Sequence, residues 1–127
     1  KIKTYKYRED IVLIGSLPDE ELAKLMAAAY ALVHIASREG SGMPVLEAMQ
    51  TEVPVIAAGN GGLAEIAGNA ALYADPGDPD AIAKQMLALY KDENLRSRFT
   101  SEGREQAAQF SWEKSAASFL KEIIPES

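Results

Sequence analysis

Residues 31–58 read ALVHIASREGSGMPVLEAMQTEVPVIAA. Two short apolar runs, Ala31 to Ala36 and Pro54 to Ala58, flank a glycine loop and a helix-like segment that begins near Met43. Apolar runs with little alternation suit strands covered on both faces. A helix joining two such runs makes the strands parallel. Outward from this unit, Asp10 to Gly15 (DIVLIG) reads as an earlier strand and Ala70 to Ala74 (AALYA) as a later one. Pro18 and the acids Asp19, Glu20 and Glu21 supply a helix start between the first two strands. Leu22, Leu25, Met26, Ala29 and Tyr30 follow at i, i+3, i+4, i+7 and i+8, one apolar face. The alternation predicts an α/β fold, a Rossmann-like parallel sheet with flanking helices.

Beyond the breaker cluster Asp75-Pro76-Gly77-Asp78-Pro79 the pattern is helical. Asp78 is placed to cap a helix with Pro79 at its first position, carrying Ile82, Met86, Leu89 and Tyr90 on one face. Asp92 is placed to cap a second helix with Leu95 and Phe99. Ser111 is placed to cap a last one, in the segment 110–127, where Trp112, Ala116, Phe119, Leu120 and Ile123 recur at helical spacing and are expected to close the core.

The sequence has 127 residues, room for one domain. Thirteen Lys and Arg against nineteen Asp and Glu give a net charge of −6. That balance disfavours nucleic acid or an anionic membrane as a partner, since both require a basic surface. The absence of cysteine excludes disulfides and thiolate chemistry, and a single histidine, His34, argues against a His-based metal site or hydrolase triad. His34 itself reads as a partly buried strand residue. No apolar run reaches the roughly 20 residues of a membrane span. The expectation is a cytoplasmic chain, peripheral to the membrane at most. Opening on Lys1, the chain is expected to be a piece of something longer.

Position singles out Ser37 to Met49, because ligands of open α/β sheets bind where a parallel strand ends and a helix begins. Gly40 and Gly42 let the backbone turn sharply and approach a ligand. The N–H groups of Met43, Val45 and Leu46 stand where an anion can be held, and Pro44 suits a first-turn position. Glu39 and Glu47 lie on either side of the turn, so a ligand with hydroxyls at both ends of a phosphate fits the layout. A solvated loop acid and an ordinary helix residue fit the spacing equally well. Arg38 reads either as a phosphate contact or as half of a surface ion pair.

Glu39 and Glu47, with seven residues between them in REGSGMPVLEAM and followed by VPVIA, resemble the E-x7-E signature of family 4 nucleotide-sugar glycosyltransferases of the two-domain GT-B fold. GSLPDEELAKLMAAAY, GNGGLAEIAGNAALYADPGDPDAIAKQM and FSWEKSA extend the resemblance over about residues 8 to 124. It implies that residues 1–127 form a partial donor-binding carboxyl-terminal domain. Glu39 becomes the candidate catalytic residue, contacting the donor sugar. Ser41, Gly42 and Met43 would bring backbone N–H groups to sugar hydroxyls and diphosphate, Val45 and Leu46 would lie by the phosphate, and Glu47 would bond the ribose hydroxyls. The implied donor is a nucleotide-diphosphate sugar, the reaction a hexose transfer with retention of configuration, and no metal or other cofactor is expected. A sugar or lipid-linked sugar acceptor would enter from a separate amino-terminal domain. A non-enzymatic nucleotide-sugar binding or scaffolding module is the alternative.

The sequence departs from the family pattern at Ser41 and Met43, at Gln50-Thr51-Glu52 after the helix, and at Ala64 within Gly61-Gly62-Leu63-Ala64-Glu65. A glutamate at the helix stop would adopt a left-handed backbone that glycine adopts without cost. The resemblance further implies that two strand–helix units, with an Arg and a Lys that neutralise the diphosphate, are lacking. The strand at Asp10 to Gly15 would then stand about 14 Å from the one at Ala31 to Ala36, at about 4.8 Å per step. Either Ile11 to Ile14 re-pairs beside Val33 to Ala36, or a second copy of the chain supplies the edge. The chain alone is expected to lack transferase activity.

Overall fold

The computed structural model describes residues 2–36, 41–59 and 61–124. Three of the four expected strands form, as β1 (Leu32–His34), β2 (Val55–Ala58) and β3 (Leu72–Ala74). They make a parallel sheet in the order β1-β2-β3, with Val33 opposite Ile56 and Ala57 opposite Tyr73. Around it lie α1 (Asp19–Ala28), α2 (Met43–Gln50), α3 (Gly62–Ala67), α4 (Pro79–Lys91), α5 (Glu93–Ala107) and α6 (Trp112–Ile123). The expected Rossmann-like α/β architecture is present.

β2 decides how the layers stack. Every residue of VIAA is buried, as a central strand covered on both faces must be. Val55 and Ala57 belong to the larger cluster with Val45, Ala48 and Met49 of α2 and Leu63 and Ala67 of α3. Ile56 points the opposite way, into a smaller cluster with Leu89 of α4 and Phe99 of α5. The alternation of one strand thus sorts two sets of helices onto two faces. α5 also closes on α2, where a Cβ on Gly103 would come within 3.2 Å of Met49 Cγ.

The three expected caps all form: Asp78 accepts from the Ala81 N–H at 3.0 Å, Asp92 from Leu95 at 3.0 Å, and Ser111 from Lys114 at 3.1 Å. The stop of α2 is also as expected. Glu52 has φ 61° and is the only non-glycine residue with positive φ among the described residues. Its N–H bonds the Met49 carbonyl at 3.2 Å and the next N–H, of Val53, bonds Ala48 at 2.8 Å. This double closure holds the left-handed residue in place. The Glu52 carboxylate meets Arg104 of α5 at 2.9 Å.

Two expectations fail, and two apolar helix faces are only partly covered. Asp10 to Gly15 is not a strand: a 3-10 turn spans Arg8–Asp10, and the residues after it pair with no strand. Val12 and Leu13 are 75% and 79% exposed. Nor does the segment re-pair beside β1, which among the described residues pairs with β2 alone. A strand needs a ladder partner as well as apolar side chains. Secondly, α6 does not close the core. None of its residues is buried and Trp112 is 82% exposed. Phe99, Gly103 and Ala107 of α5 already fill the space against the core. Thirdly, Leu22 and Leu25 of α1 stay exposed, and only Met26 and Ala29 of that face reach the main cluster. Fourthly, on α4 Leu89 is buried while Met86 and Tyr90 are exposed. The last two border an apolar groove of about 480 Å³ with Tyr30, Val33 of β1 and Leu87.

These open faces appear in the total area. The accessible surface is 9342 Å², whereas a compact monomer of this mass, 13.7 kDa, exposes roughly 6,600 Å². Among the described residues, no helix is long and apolar enough to cross a membrane.

Candidate functional site

β1 ends at His34, half-buried in the sheet as the sequence indicates, and the chain re-enters regular structure at α2. Ser37, Arg38, Glu39 and Gly40 lie outside the described residues, so Glu39 has no structural account. Ser41 is exposed and Gly42 is buried.

Gly42 is the N-cap of α2, with φ 58° and ψ 20°, and has no side chain to cap the first turn. The left-handed conformation favours glycine. A Cβ there would also lie 2.6 Å from Ile66 Cδ1 and 3.5 Å from Leu63 Cδ2, so the end of the Ile66 side chain would have to shift to admit it. The Gly42 carbonyl accepts from both Val45 at 3.0 Å and Leu46 at 3.2 Å. Those two N–H groups are therefore occupied inside the turn, which narrows the expectation that they face an anion. Pro44 has no N–H. Among the described residues, the Gly42 and Met43 N–H groups have no acceptor. They stand at the positive end of the α2 dipole.

α2 divides into two stripes. Val45, Ala48 and Met49 are buried against the sheet, while Met43, Glu47 and Gln50, at i, i+4 and i+7, are exposed on the opposite side. Glu47 therefore lies about 6 Å along the axis from Met43, at 1.5 Å per residue. At Glu47 and Gln50 the exposed stripe lines a cleft of about 350 Å³ against α1, together with Asp19, Leu22, Ala23, Met26 and Thr51. Ionised Asp19 and Glu47 offer only acceptors, and Leu22 and Met26 offer apolar surface. Such a cleft suits a ligand with hydroxyl donors and a flat apolar part. Among the described residues, no Lys or Arg lines the cleft; Lys24 on α1 pairs with Glu20 at 3.2 Å and Glu21 at 3.1 Å. Among the described residues, no group of three or more His, Asp or Glu side chains is arranged around a metal position.

Sequence reasoning placed Gly42 and Met43 at the start of a helix and Glu47 inside it; in the structure Met43 and Glu47 share the exposed side of α2, and Gly42 is buried at its start. It did not find the α1 wall of the cleft or the α3 side chains behind Gly42. The one local signal for the α1 wall is an apolar stripe, Leu22 and Met26, which by itself reads as core.

The model of the family described as Glycosyl transferases group 1 matches residues 1–106. The chain belongs to this family. The match ends before α6. The chain is 45% identical over 100 residues to the O-antigen chain mannosyltransferase B of Escherichia coli, covering 79% of this chain and 26% of that protein. It is 37% identical over 106 residues to an uncharacterised glycosyltransferase of Methanocaldococcus jannaschii, covering 82% and 30%. A D-inositol 3-phosphate glycosyltransferase of Corynebacterium urealyticum is 33% identical over 106 residues, covering 82% and 25%. The chain thus spans about a quarter to a third of the length of these relatives.

Proposed function

We propose that this chain is the donor-binding part of a retaining glycosyltransferase that transfers a hexose from a nucleotide-diphosphate sugar to a sugar or lipid-linked sugar acceptor. The observation that carries the reading is the exposed stripe of α2, where Met43 at the N–H end and the carboxylate of Glu47 share one side and Glu47 lines the cleft against α1. A diphosphate at the turn meets backbone donors and the helix dipole. Ribose hydroxyls at Glu47 meet a carboxylate that can only accept, and the base lies toward Leu22 and Met26. The two sites suit opposite ligand chemistries, which orients the donor along the helix. Ser41 contributes backbone at the sugar side, and Glu39 contacts the donor sugar there.

In this reading the bond from the sugar anomeric carbon to the diphosphate oxygen breaks as the bond to the acceptor oxygen forms on the same face. The acceptor proton passes to the leaving diphosphate. The chain contributes positioning and stabilisation of the departing charge. Membership of the family and the E-x7-E spacing of Glu39 and Glu47 support the assignment.

Calorimetric titration with UDP-, GDP- and ADP-sugars tests it. One base is expected to bind, and Glu47→Ala is expected to weaken that binding about tenfold to a hundredfold, as loss of hydrogen bonds to a charged group does. Circular dichroism should remain unchanged, because Glu47 is exposed. Binding of no nucleotide-sugar, or full binding by the Glu47→Ala chain, would overturn the reading.

A further inference from the structure

The freedom that lets Gly42 adopt its turn also means that Gly42 does not hold it, since glycine populates many conformations at similar cost. The turn has no side-chain cap either. What lies against it is Ile66: its Cδ1 is where a Gly42 Cβ would collide, at 2.6 Å. Ile66 sits on α3, a helix of 6 residues entered at Gly61 and left at Gly68, both with positive φ. Such a short helix between two permissive residues takes its position from tertiary contacts. Leu63 and Ala67 anchor it in the core, and Gln106 of α5 donates from Nε2 to the Ile66 carbonyl at 2.7 Å. The Tyr73 hydroxyl of β3 donates to the Gly68 carbonyl.

We propose that Ile66 is a positioning residue for the donor diphosphate: seated on Gly42 and held by Gln106, it fixes the left-handed turn that presents the Gly42 and Met43 N–H groups to the ligand. This inference rests on the donor-site reading above. Ile66 does not line the cleft between Glu47 and α1, so its effect falls on the phosphate half of the ligand. A residue that served only the core would weaken nucleoside and nucleoside diphosphate alike.

The test compares the full chain with Ile66→Ala and with the milder Ile66→Val, which lacks only Cδ1. Each is titrated with matched pairs: uridine and UDP, guanosine and GDP, adenosine and ADP. For the base that the unmodified chain takes, Ile66→Ala is expected to lower diphosphate affinity about tenfold, the scale of one charge-assisted hydrogen bond. Nucleoside affinity should stay within about twofold. Ile66→Val should fall between the two chains, and Ile66→Met, which restores reach to the turn, should recover most of the loss. Amide resonances of Gly42 and Met43 should shift on UDP, GDP or ADP addition in the unmodified chain and less in Ile66→Ala. Equal losses for nucleoside and diphosphate, or an unchanged ratio in Ile66→Val and Ile66→Ala, overturn the positioning role and leave the donor site standing. Absence of binding to every nucleotide by the unmodified chain overturns both.

Discussion

α5 and α6 are successive helices of 15 and 12 residues, each begun by a side-chain cap, Asp92 and Ser111. α5 buries Phe99, Gly103 and Ala107, whereas α6 buries nothing, although Trp112, Phe119, Leu120 and Ile123 share an apolar side. The polar helix is the packed one. A cap is a bond within four residues and forms wherever the chain starts a helix. Amphipathicity announces a face without naming what covers it. Helix formation and helix burial are therefore separate properties here, and only the first is local.

The largest test of this contrast is truncation of one aromatic on each helix. Phe99→Ala is expected to cost about 3 to 5 kcal/mol, and Trp112→Ala less than about 0.5 kcal/mol, both read by urea denaturation. Equal losses would mean that α6 packs after all. A finer contrast comes from the caps. Asp92→Ala should lower global stability by about 1 kcal/mol. Ser111→Ala should instead speed amide exchange in the first turn of α6 while leaving the denaturation midpoint unchanged, because opening of an unpacked helix is not coupled to the core.

The smallest effect concerns how α5 is tied to the rest. Glu93 is fully exposed, and hydrogen bonding from Arg96 holds its carboxyl below the usual value, against a smaller opposing effect of desolvation. Arg96 also lies over the Tyr30 ring at 4.9 Å, and Tyr30 donates to the Leu89 carbonyl at 3.2 Å. A depressed folded-state value gives a contribution fully present above the ordinary glutamate range, and lost as pH falls through the lower folded value. Arg96→Gln should flatten this part of the acid limb in a stability-against-pH series. An identical slope in the Arg96→Gln chain would remove the pair from the account.

Much of the architecture is legible in sequence because its causes are short-range. β1, β2 and β3 follow from unbroken apolar runs, the caps from Asp78, Asp92 and Ser111, and the strained stop of α2 from Glu52 standing where glycine is usual. Asp10 to Gly15 carries the same apolar signal as the true strands and fails because periodicity reports what a segment can bury, not whether a neighbour is present. At the site, Gly42 and Met43 at the start of α2 and Glu47 inside it are found by spacing. Asp19, Leu22 and Ile66 reach it through the packing of α1 and α3, and no spacing along the chain encodes that. Glu39 falls where the structure offers no description.

The side of β1 away from β2, where no further strand pairs among the described residues, has a colloidal consequence. A strand edge that no other strand covers is a template for one, a second copy's included. The run Ile11-Val12-Leu13-Ile14 is uncharged, exposed and β-branched at all but Leu13, the composition from which intermolecular sheets grow. Opposing this is the net charge of −6, which makes copies repel at low ionic strength. Salt screens that repulsion over a Debye length of about 8 Å at physiological strength but leaves strand pairing intact. Solubility of this chain is thus a balance between edge and charge, tipped by the buffer.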